Sequence, residues 1–317
     1  MSFNWKRRAL LALASATAVL LAACGSGSIE SQLEPSRIVA FGDGMSDLGQ
    51  VGGRRYTVND GTANIWTQDV AARFNLSLAA AAGGGTSYAT GNARVAAHPD
   101  AAGNAATPTV TEQIDAFLAV GTAGANDLLI VNAGTADIIA EMAGVTAGTQ
   151  SSDQMLANVA QAGRDLAGQV RRLVRAGAIH VAVAGPYHLG RSPWARGAGQ
   201  SNLLTQASTR FNEALLIAMV DLGANVLYVD AALFFNLMES NPSNYGITNV
   251  ADPVCNSVDP GPGIGIGAGR VNSSLCTTAT LIDANYSRYM FADAVYVTPQ
   301  AHREFGKYAY DRIRARW

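Results

Sequence analysis

The sequence has little charge and no excess of basic residues. Only 15% of its 317 residues are charged, and 22 Lys and Arg stand against 24 Asp and Glu. The first 23 residues contain three basic residues and no acid, so the remainder has 19 basic against 24 acidic residues, a net charge of −5. Because nucleic-acid-binding domains present a basic surface, this balance argues against a nucleic-acid partner.

Cysteine and histidine are also scarce, and neither is clustered. The chain has 3 Cys and 4 His, with His98, His180, His188 and His302 far apart in sequence. Zinc and haem ligands usually recur at short fixed spacings, so the sequence predicts no metal site and no cofactor. With 49% hydrophobic residues, the chain is long and apolar enough to bury a full core.

The amino terminus has the pattern of an export signal. Lys6, Arg7 and Arg8 precede an apolar run over residues 9–23, which is too short to span a bilayer. The run ends in LAAC at residues 21–24, which resembles the bacterial lipobox. This resemblance implies a signal peptide over 1–23, lipidation of Cys24 as a membrane anchor and, since Gly25 rather than Asp follows, an outer-membrane lipoprotein. An ordinary secretory signal is the alternative, and residues 24–36 are expected to form a flexible tether.

The two remaining cysteines, Cys255 and Cys276, flank a Gly- and Pro-rich stretch. An even pair in an exported chain favours a disulfide. Such a bond closes a loop of about 20 residues and is expected to stabilise the fold by about 3 kcal/mol. The irregular region over residues 241–285, which contains both cysteines, is predicted to be an excursion from the main domain.

Short apolar strands alternate with amphipathic helices from residue 37 onward. Strands are predicted over residues 38–41, 128–131, 180–184 and 226–229, and a long helix over 153–175 has apolar residues at steps of three and four. A closing helix is predicted from Thr298 and Pro299 to the end of the chain. This alternation indicates one α/β domain over residues 37–317 with a parallel sheet.

In open parallel sheets ligands bind where strands end. The first strand leads into GDGMSDLG at residues 42–49, which is similar to the first block of the GDSL, or SGNH, esterase and lipase family. GTSYATGNARV at 85–95 and FADAVYVTP at 291–299 resemble the second and last blocks of that family, and segments 186–193 and 245–249 also match. The resemblance implies a three-layer α/β/α sandwich with a flavodoxin-like sheet, and hydrolysis of carboxylic esters.

The resemblance also implies that the reactive residues are missing. The position of the serine nucleophile is occupied by Gly44, which has no side chain and is expected to enlarge the floor of the cleft. The position of the histidine base is occupied by Tyr296, a poor base near pH 7 because a phenol has a pKa of about 10. Only Asp293 remains of the catalytic triad.

The oxyanion hole is degenerate by the same comparison. In the second block Gly91 is kept and Asn92 replaces a glycine, while Ala136 stands where the family has an asparagine whose amide is a donor. A literal GxND sequence at residues 124–127 precedes its strand, so we expect it to lie at the wrong end of the sheet. Losing one side-chain oxyanion donor typically slows a hydrolase by about 100- to 1000-fold.

Three hypotheses follow from these departures. The first is a catalytically inactive or strongly impaired lipoprotein that binds a lipid, acyl ester, glycan or protein partner. The second is an acyl hydrolase with a relocated nucleophile and base, for which Ser46 and His188 are the candidates; a Ser46 hydroxyl that caps a helix start is the simpler interpretation. The third is an envelope scaffold without a small ligand, which requires a filled or closed cleft.

Overall fold

The computed structural model describes residues 33–317. The predicted signal peptide, Cys24 and most of the predicted tether lie outside the described residues. The strands are β1 (Arg37–Gly42), β2 (Asp127–Asn132), β3 (Val181–Ala184), β4 (Val226–Tyr228), β5 (Asn249–Pro253), β6 (Val258–Asp259), β7 (Arg270–Val271) and β8 (Tyr289–Phe291). The helices are α1 (Trp66–Arg73), α2 (Val110–Val120), α3 (Thr135–Thr146), α4 (Ser152–Arg175), α5 (Pro193–Gly197), α6 (Ser201–Ala218), α7 (Ala231–Ser240) and α8 (Pro299–Arg316).

The main sheet is parallel, with the strand order β1-β2-β3-β4. The segment 86–90 runs beside β1 on its other side, since Tyr88 N–H donates to Ala40 O and Thr90 N–H donates to Gly42 O. The four predicted strands are all present. β3 begins at Val181, so His180 precedes the strand rather than opening it.

Each face of the sheet has its own apolar core, because successive strand residues point to opposite faces. Ile38 and Ile130 face one core, which also contains residues of α1, α3, α7 and α8. Val39 and Val131 face the other, which contains residues of α2, α4 and α6. The predicted three-layer α/β/α architecture is therefore confirmed, and its parallel strands are buried on both faces, as the layer arrangement requires.

Side-chain caps define where the two longest predicted helices begin. Ser151 accepts a hydrogen bond from Gln154 N at the start of α4, and Thr298 accepts one from Ala301 N at the start of α8. Each hydroxyl satisfies a backbone donor that the first helical turn leaves unpaired. The last turn of α4 carries Arg172 and Arg175, which complement the negative end of the helix dipole.

The chain between α7 and β8 forms short strands and 3-10 turns. β5 pairs with β8 in parallel and β6 pairs with β7 in antiparallel. The predicted disulfide is present between Cys255 and Cys276, with 5.9 Å between the two Cα atoms. The bond cross-links the excursion to itself, and both cysteines are buried beside Val58 of the segment that follows β1, where Asn59 N–H also donates to Cys276 O at 2.9 Å.

No helix within residues 33–317 is long and apolar enough to cross a lipid bilayer.

Candidate functional site

The carboxyl end of β1 is held tightly against β2. A Cβ atom at Gly42 would lie 1.9 Å from the backbone oxygen of Asn132, so only glycine fits there. The next residue, Asp43, is buried, and its carboxylate accepts hydrogen bonds from Met45 N at 3.1 Å and Thr135 N at 3.0 Å. This carboxylate therefore joins the turn after β1 to the first turn of α3.

The nucleophile position predicted at Gly44 is filled by the ring of Tyr296. A Cβ atom at Gly44 would lie 2.7 Å from Tyr296 Cζ, 2.7 Å from its Oη and 2.8 Å from its Cε1. The Tyr296 side chain is 0% exposed, and its hydroxyl has no hydrogen-bond partner among the described residues. The expectation that Gly44 enlarges the cleft floor is wrong, because the larger residue at the base position occupies the space that the missing serine would leave.

A second tyrosine, Tyr56, packs against Tyr296 and covers the loop at Gly91. Tyr56 contacts Tyr296 with ring centroids 4.9 Å apart and an angle of 55° between the ring planes. A Cβ atom at Gly91 would lie 2.0 Å from Tyr56 Cε2, so the Tyr56 ring lies directly over the loop expected to supply oxyanion donors. Sequence reasoning missed Tyr56, which follows a glycine- and arginine-rich stretch and matches none of the family blocks.

Asp293 has backbone partners in place of an imidazole. Its Oδ1 accepts hydrogen bonds from Val295 N at 2.8 Å and Tyr296 N at 2.7 Å, and its Oδ2 accepts one from Ser273 N at 2.9 Å. Three donors satisfy most of what a buried carboxylate needs. Asp293 therefore anchors the turn before α8 and the loop at Ser273 without touching a general base.

Two of the three expected oxyanion donors, the backbone N–H groups of Gly91 and Ala136, already contact carboxylates, while no hydrogen bond from the backbone N–H of Asn92 is seen among the described residues. Gly91 N–H donates to Asp47 Oδ2 at 2.8 Å, and Ala136 N–H makes a long contact of 3.4 Å with Asp43 Oδ2. Asn92 has a positive φ of 62°, and its Nδ2 donates to Gly263 O at 3.1 Å. The alternative sequence at 124–127 leads into the start of β2, at the edge opposite Gly44.

Ser46 does not cap a helix, and that expectation is wrong. The chain after β1 continues as turns and loop until α1 begins at Trp66. The Ser46 hydroxyl is buried; it donates to Asn132 Oδ1 at 3.2 Å and accepts from Trp66 Nε1 at 3.0 Å. Ser46 thus joins β2 to α1 through two side chains.

His188 lies after β3, and its side chain contacts Asn236 and not Ser46. Its Nδ1 is 2.9 Å from Asn236 Nδ2 on α7. Ser46 and His188 form no hydrogen bond with each other in the part of the chain that the structure describes, so the structure does not assemble the alternative nucleophile and base.

Burial raises the pKa values of the acidic side chains around the carboxyl ends of the strands. Desolvation raises the pKa of Asp43 to about 7, and it raises the pKa of Asp47 and of Asp137 to about 6. The pKa of Asp293 is also raised by burial. Burial and then the charge of Asp43 raise the pKa of the Tyr296 phenol well above its ordinary value of 10, so Tyr296 stays neutral and cannot accept a proton near pH 7.

An open pocket of about 260 Å³ remains beside Tyr56. Most of its lining residues have polar side chains, although apolar atoms provide more of its exposed surface than polar atoms do. Asn92 is among the lining residues, and its Oδ1 is buried without a hydrogen-bond partner in the described chain. The lining residues are Asp47, Val51, Arg54, Tyr56, Thr90, Gly91, Asn92, Asp100, Ala102, Asn104, Thr107, Pro262 and Ser274.

Within residues 33–317, no group of three or more His, Cys, Asp or Glu side chains is arranged to hold a metal ion.

A parallel sheet between two helical layers, with a glycine-bearing turn after β1 and an aspartate before the last helix, is consistent with the SGNH hydrolase fold. The chain belongs to the GDSL-like Lipase/Acylhydrolase family, whose pattern matches residues 38–309. Among curated proteins the comparison finds no match. Among solved structures the chain is similar to Est24, a carbohydrate acetylesterase from Sinorhizobium meliloti, at 13% identity and a TM-score of 0.47, covering 89% of this chain and 99% of that one. This likeness carries no argument about substrate.

Proposed function

We propose that this protein is a member of the GDSL-like family that has lost ester hydrolysis and binds a small polar ligand in the pocket beside Tyr56. The observation that carries the proposal is the Tyr296 ring, which occupies the space a serine side chain at position 44 would need. Gly44 supplies no nucleophile, and Tyr296 supplies no base.

The remaining pocket favours a hydroxyl-bearing ligand such as a sugar unit of a glycan over an acyl chain. Its aromatic wall is the Tyr56 ring, and Asn104 and Ser274 place amide and hydroxyl groups around the opening. An acyl chain needs a continuous apolar lining, because burying unpaired polar groups against it costs free energy. A lipid or acyl ester ligand is therefore the less favoured alternative.

The scaffold hypothesis requires a filled cleft, and Tyr296 does fill the reactive centre. The pocket of about 260 Å³ beside it is the feature that favours ligand binding over a purely structural role. The relocated hydrolase finds less support, since the Ser46 hydroxyl is engaged by Asn132 and Trp66.

The proposed location is the outer membrane, where a lipid on Cys24 would anchor the chain facing the periplasm or the cell surface. The support is the lipobox-like sequence at residues 21–24, together with the disulfide, which suits an oxidising compartment.

Loss of hydrolysis is tested with p-nitrophenyl acetate and butyrate on the detergent-solubilised full chain. We expect turnover equal to that of buffer, unchanged in Ser46→Ala and His188→Ala. Turnover that disappears in either variant would establish the relocated hydrolase instead.

Ligand binding is tested by saturation-transfer NMR with a panel of neutral mono- and oligosaccharides, with octanoate as the acyl-chain probe. We expect transfer to a saccharide that is lost in Asn104→Ala and kept in Asn256→Ala, which changes an asparagine outside the pocket lining. Transfer to octanoate alone would favour an acyl ligand, and transfer to none of the probes would favour the scaffold.

A further inference from the structure

The chain enters the domain at the edge where the parallel strands begin. Ser36 N–H donates to Asn126 O at 2.8 Å, one residue before β2, and Leu33 N–H donates to Trp317 O at 3.4 Å at the end of the chain. Tyr296 and the polar pocket lie near the opposite edge, where β1 ends. A six-residue strand separates these two edges by about 20 Å.

Exposed apolar side chains are concentrated at this same edge. Helices α2, α4 and α6 directly precede β2, β3 and β4, so their carboxyl ends lie where those strands begin. Five of the ten exposed large hydrophobic residues of the described chain lie in the last turns of α2 and α6 or in the loops that enter β3 and β4. These five residues form what we call the strand-start face: Val120 (79% exposed), Ile179 (40%), Leu216 (41%), Ile217 (75%) and Val220 (81%).

Part of this face is a groove rather than a set of isolated side chains. Leu216, Ile217 and Val220 line an open groove of about 440 Å³ together with Val226 and Tyr228 of β4. Because β4 is the last strand of the main sheet in the described residues, no further strand covers this groove.

Arginine surrounds the strand-start face. Arg37, Arg171 and Arg172 form ion pairs with Asp127, Asp221 and Asp115. Three further arginines at the ends of α4 and α8, Arg175, Arg314 and Arg316, form no ion pair with any residue from 33 to 317 and are unpaired in this sense. Arg314 does donate a hydrogen bond to Leu33 O, and Arg316 donates one to Gly223 O.

The length of the preceding chain limits how far this face can be from a lipid anchor. Eight residues lie between Cys24 and Leu33, and the nine residue steps from one to the other span at most about 32 Å even when fully extended. If Cys24 carries lipid, Leu33 therefore stays within about 32 Å of the bilayer surface, and the strand-end pocket lies at the opposite edge of the sheet from Leu33.

We propose that the strand-start face docks on the surface of the bilayer to which Cys24 is anchored. Ile217 and Val220 enter the interfacial layer, the unpaired arginines face lipid phosphates, and the polar pocket is turned toward the aqueous phase. This inference rests on the proposed lipid anchor, and it assigns a lipid surface as the partner of a face that lies away from the proposed ligand pocket.

The test uses the full lipidated chain in vesicles of phosphatidylethanolamine and phosphatidylglycerol. A single cysteine is introduced as Val220→Cys or, as the matched control at the strand-end pocket, Val51→Cys, and is labelled with an environment-sensitive fluorophore. Both positions are highly exposed, at 81% and 73%, so neither change threatens folding. We expect brominated lipids to quench the label at 220 at least threefold more than the label at 51.

Each of three results would overturn the proposal, and each points to a different cause. Equal quenching at 220 and 51 in vesicles that carry the protein would refute the docking face while leaving the anchor intact. Failure of the wild-type chain to float with vesicles would refute the anchor and the face together. Energy transfer between labels at 220, without quenching by brominated lipid, would show that a second copy of the chain covers the face.

Discussion

Replacing Gly44 by alanine tests whether Tyr296 closes the nucleophile position. The new Cβ would lie 2.7 to 2.8 Å from three atoms of the Tyr296 side chain, well inside the contact distance of about 3.5 Å between carbon atoms. The ring is fully buried against Tyr56 and must be displaced. We expect Gly44→Ala to lower the free energy of unfolding by about 1–3 kcal/mol, the usual cost of overpacking.

The cause of that loss is isolated by a double-mutant cycle with Tyr296→Ala. The Tyr296→Ala change alone should cost about 3–5 kcal/mol because it leaves a cavity. In its background Gly44→Ala should cost almost nothing, so the coupling free energy equals the overpacking cost of about 1–3 kcal/mol. Tyr296→Phe should not relieve the clash, because Cζ and Cε1 remain within 2.8 Å of the added atom.

Urea denaturation followed by circular dichroism gives the four free energies of the cycle. Gly83→Ala is the matched control, because an added Cβ there meets nothing within 4 Å, and we expect a change within about 0.5 kcal/mol. Additivity of Gly44→Ala and Tyr296→Ala within about 0.5 kcal/mol would refute the claim that Tyr296 fills the space at position 44.

Three further predictions concern single buried groups. Tyr296→Phe should not lower the free energy of unfolding and can raise it by up to about 1–3 kcal/mol, because it removes a buried hydroxyl without a partner. A loss of that size in urea denaturation would show that the hydroxyl has a partner. Burial lowers the pKa of His302 to about 3 from 6.5, so the unfolded chain takes up its proton first as the pH falls. The stability of the wild type relative to His302→Gln should therefore shrink by about 1.6 kcal/mol between pH 6.5 and 5, and a pH-independent difference would contradict this. Replacing Cys255 and Cys276 together by serine should cost about 3 kcal/mol, and a change in thermal midpoint under 1 °C would refute that contribution.

The sequence was sufficient for the parts of the fold that follow from periodicity and local chemistry. The strands at Arg37–Gly42 and Asp127–Asn132, the helix at Ser152–Arg175 and the disulfide were all expected, because each depends on a pattern within one segment. The absence of a serine at position 44 could also be read directly from the sequence.

The packing of the site was not predictable in the same way. Residues 44 and 296 are far apart in sequence, and spacing does not say that the Tyr296 ring points into the volume left by Gly44. Tyr56 had no sequence signal, since its role comes from its position over Gly91. Ser46 was expected to cap a helix, but no helix begins there and its hydroxyl pairs with Trp66 and Asn132. Each miss concerns a contact between distant segments.

The central claim is that this chain has no activated serine, and reaction with a fluorophosphonate probe tests it most directly. Such probes form a stable adduct with a serine hydroxyl that a general base has activated. For the folded wild-type protein at pH 7.5, intact-mass spectrometry should show no adduct. A stoichiometric adduct that maps to Ser46, or to any other serine of the domain, would contradict the account.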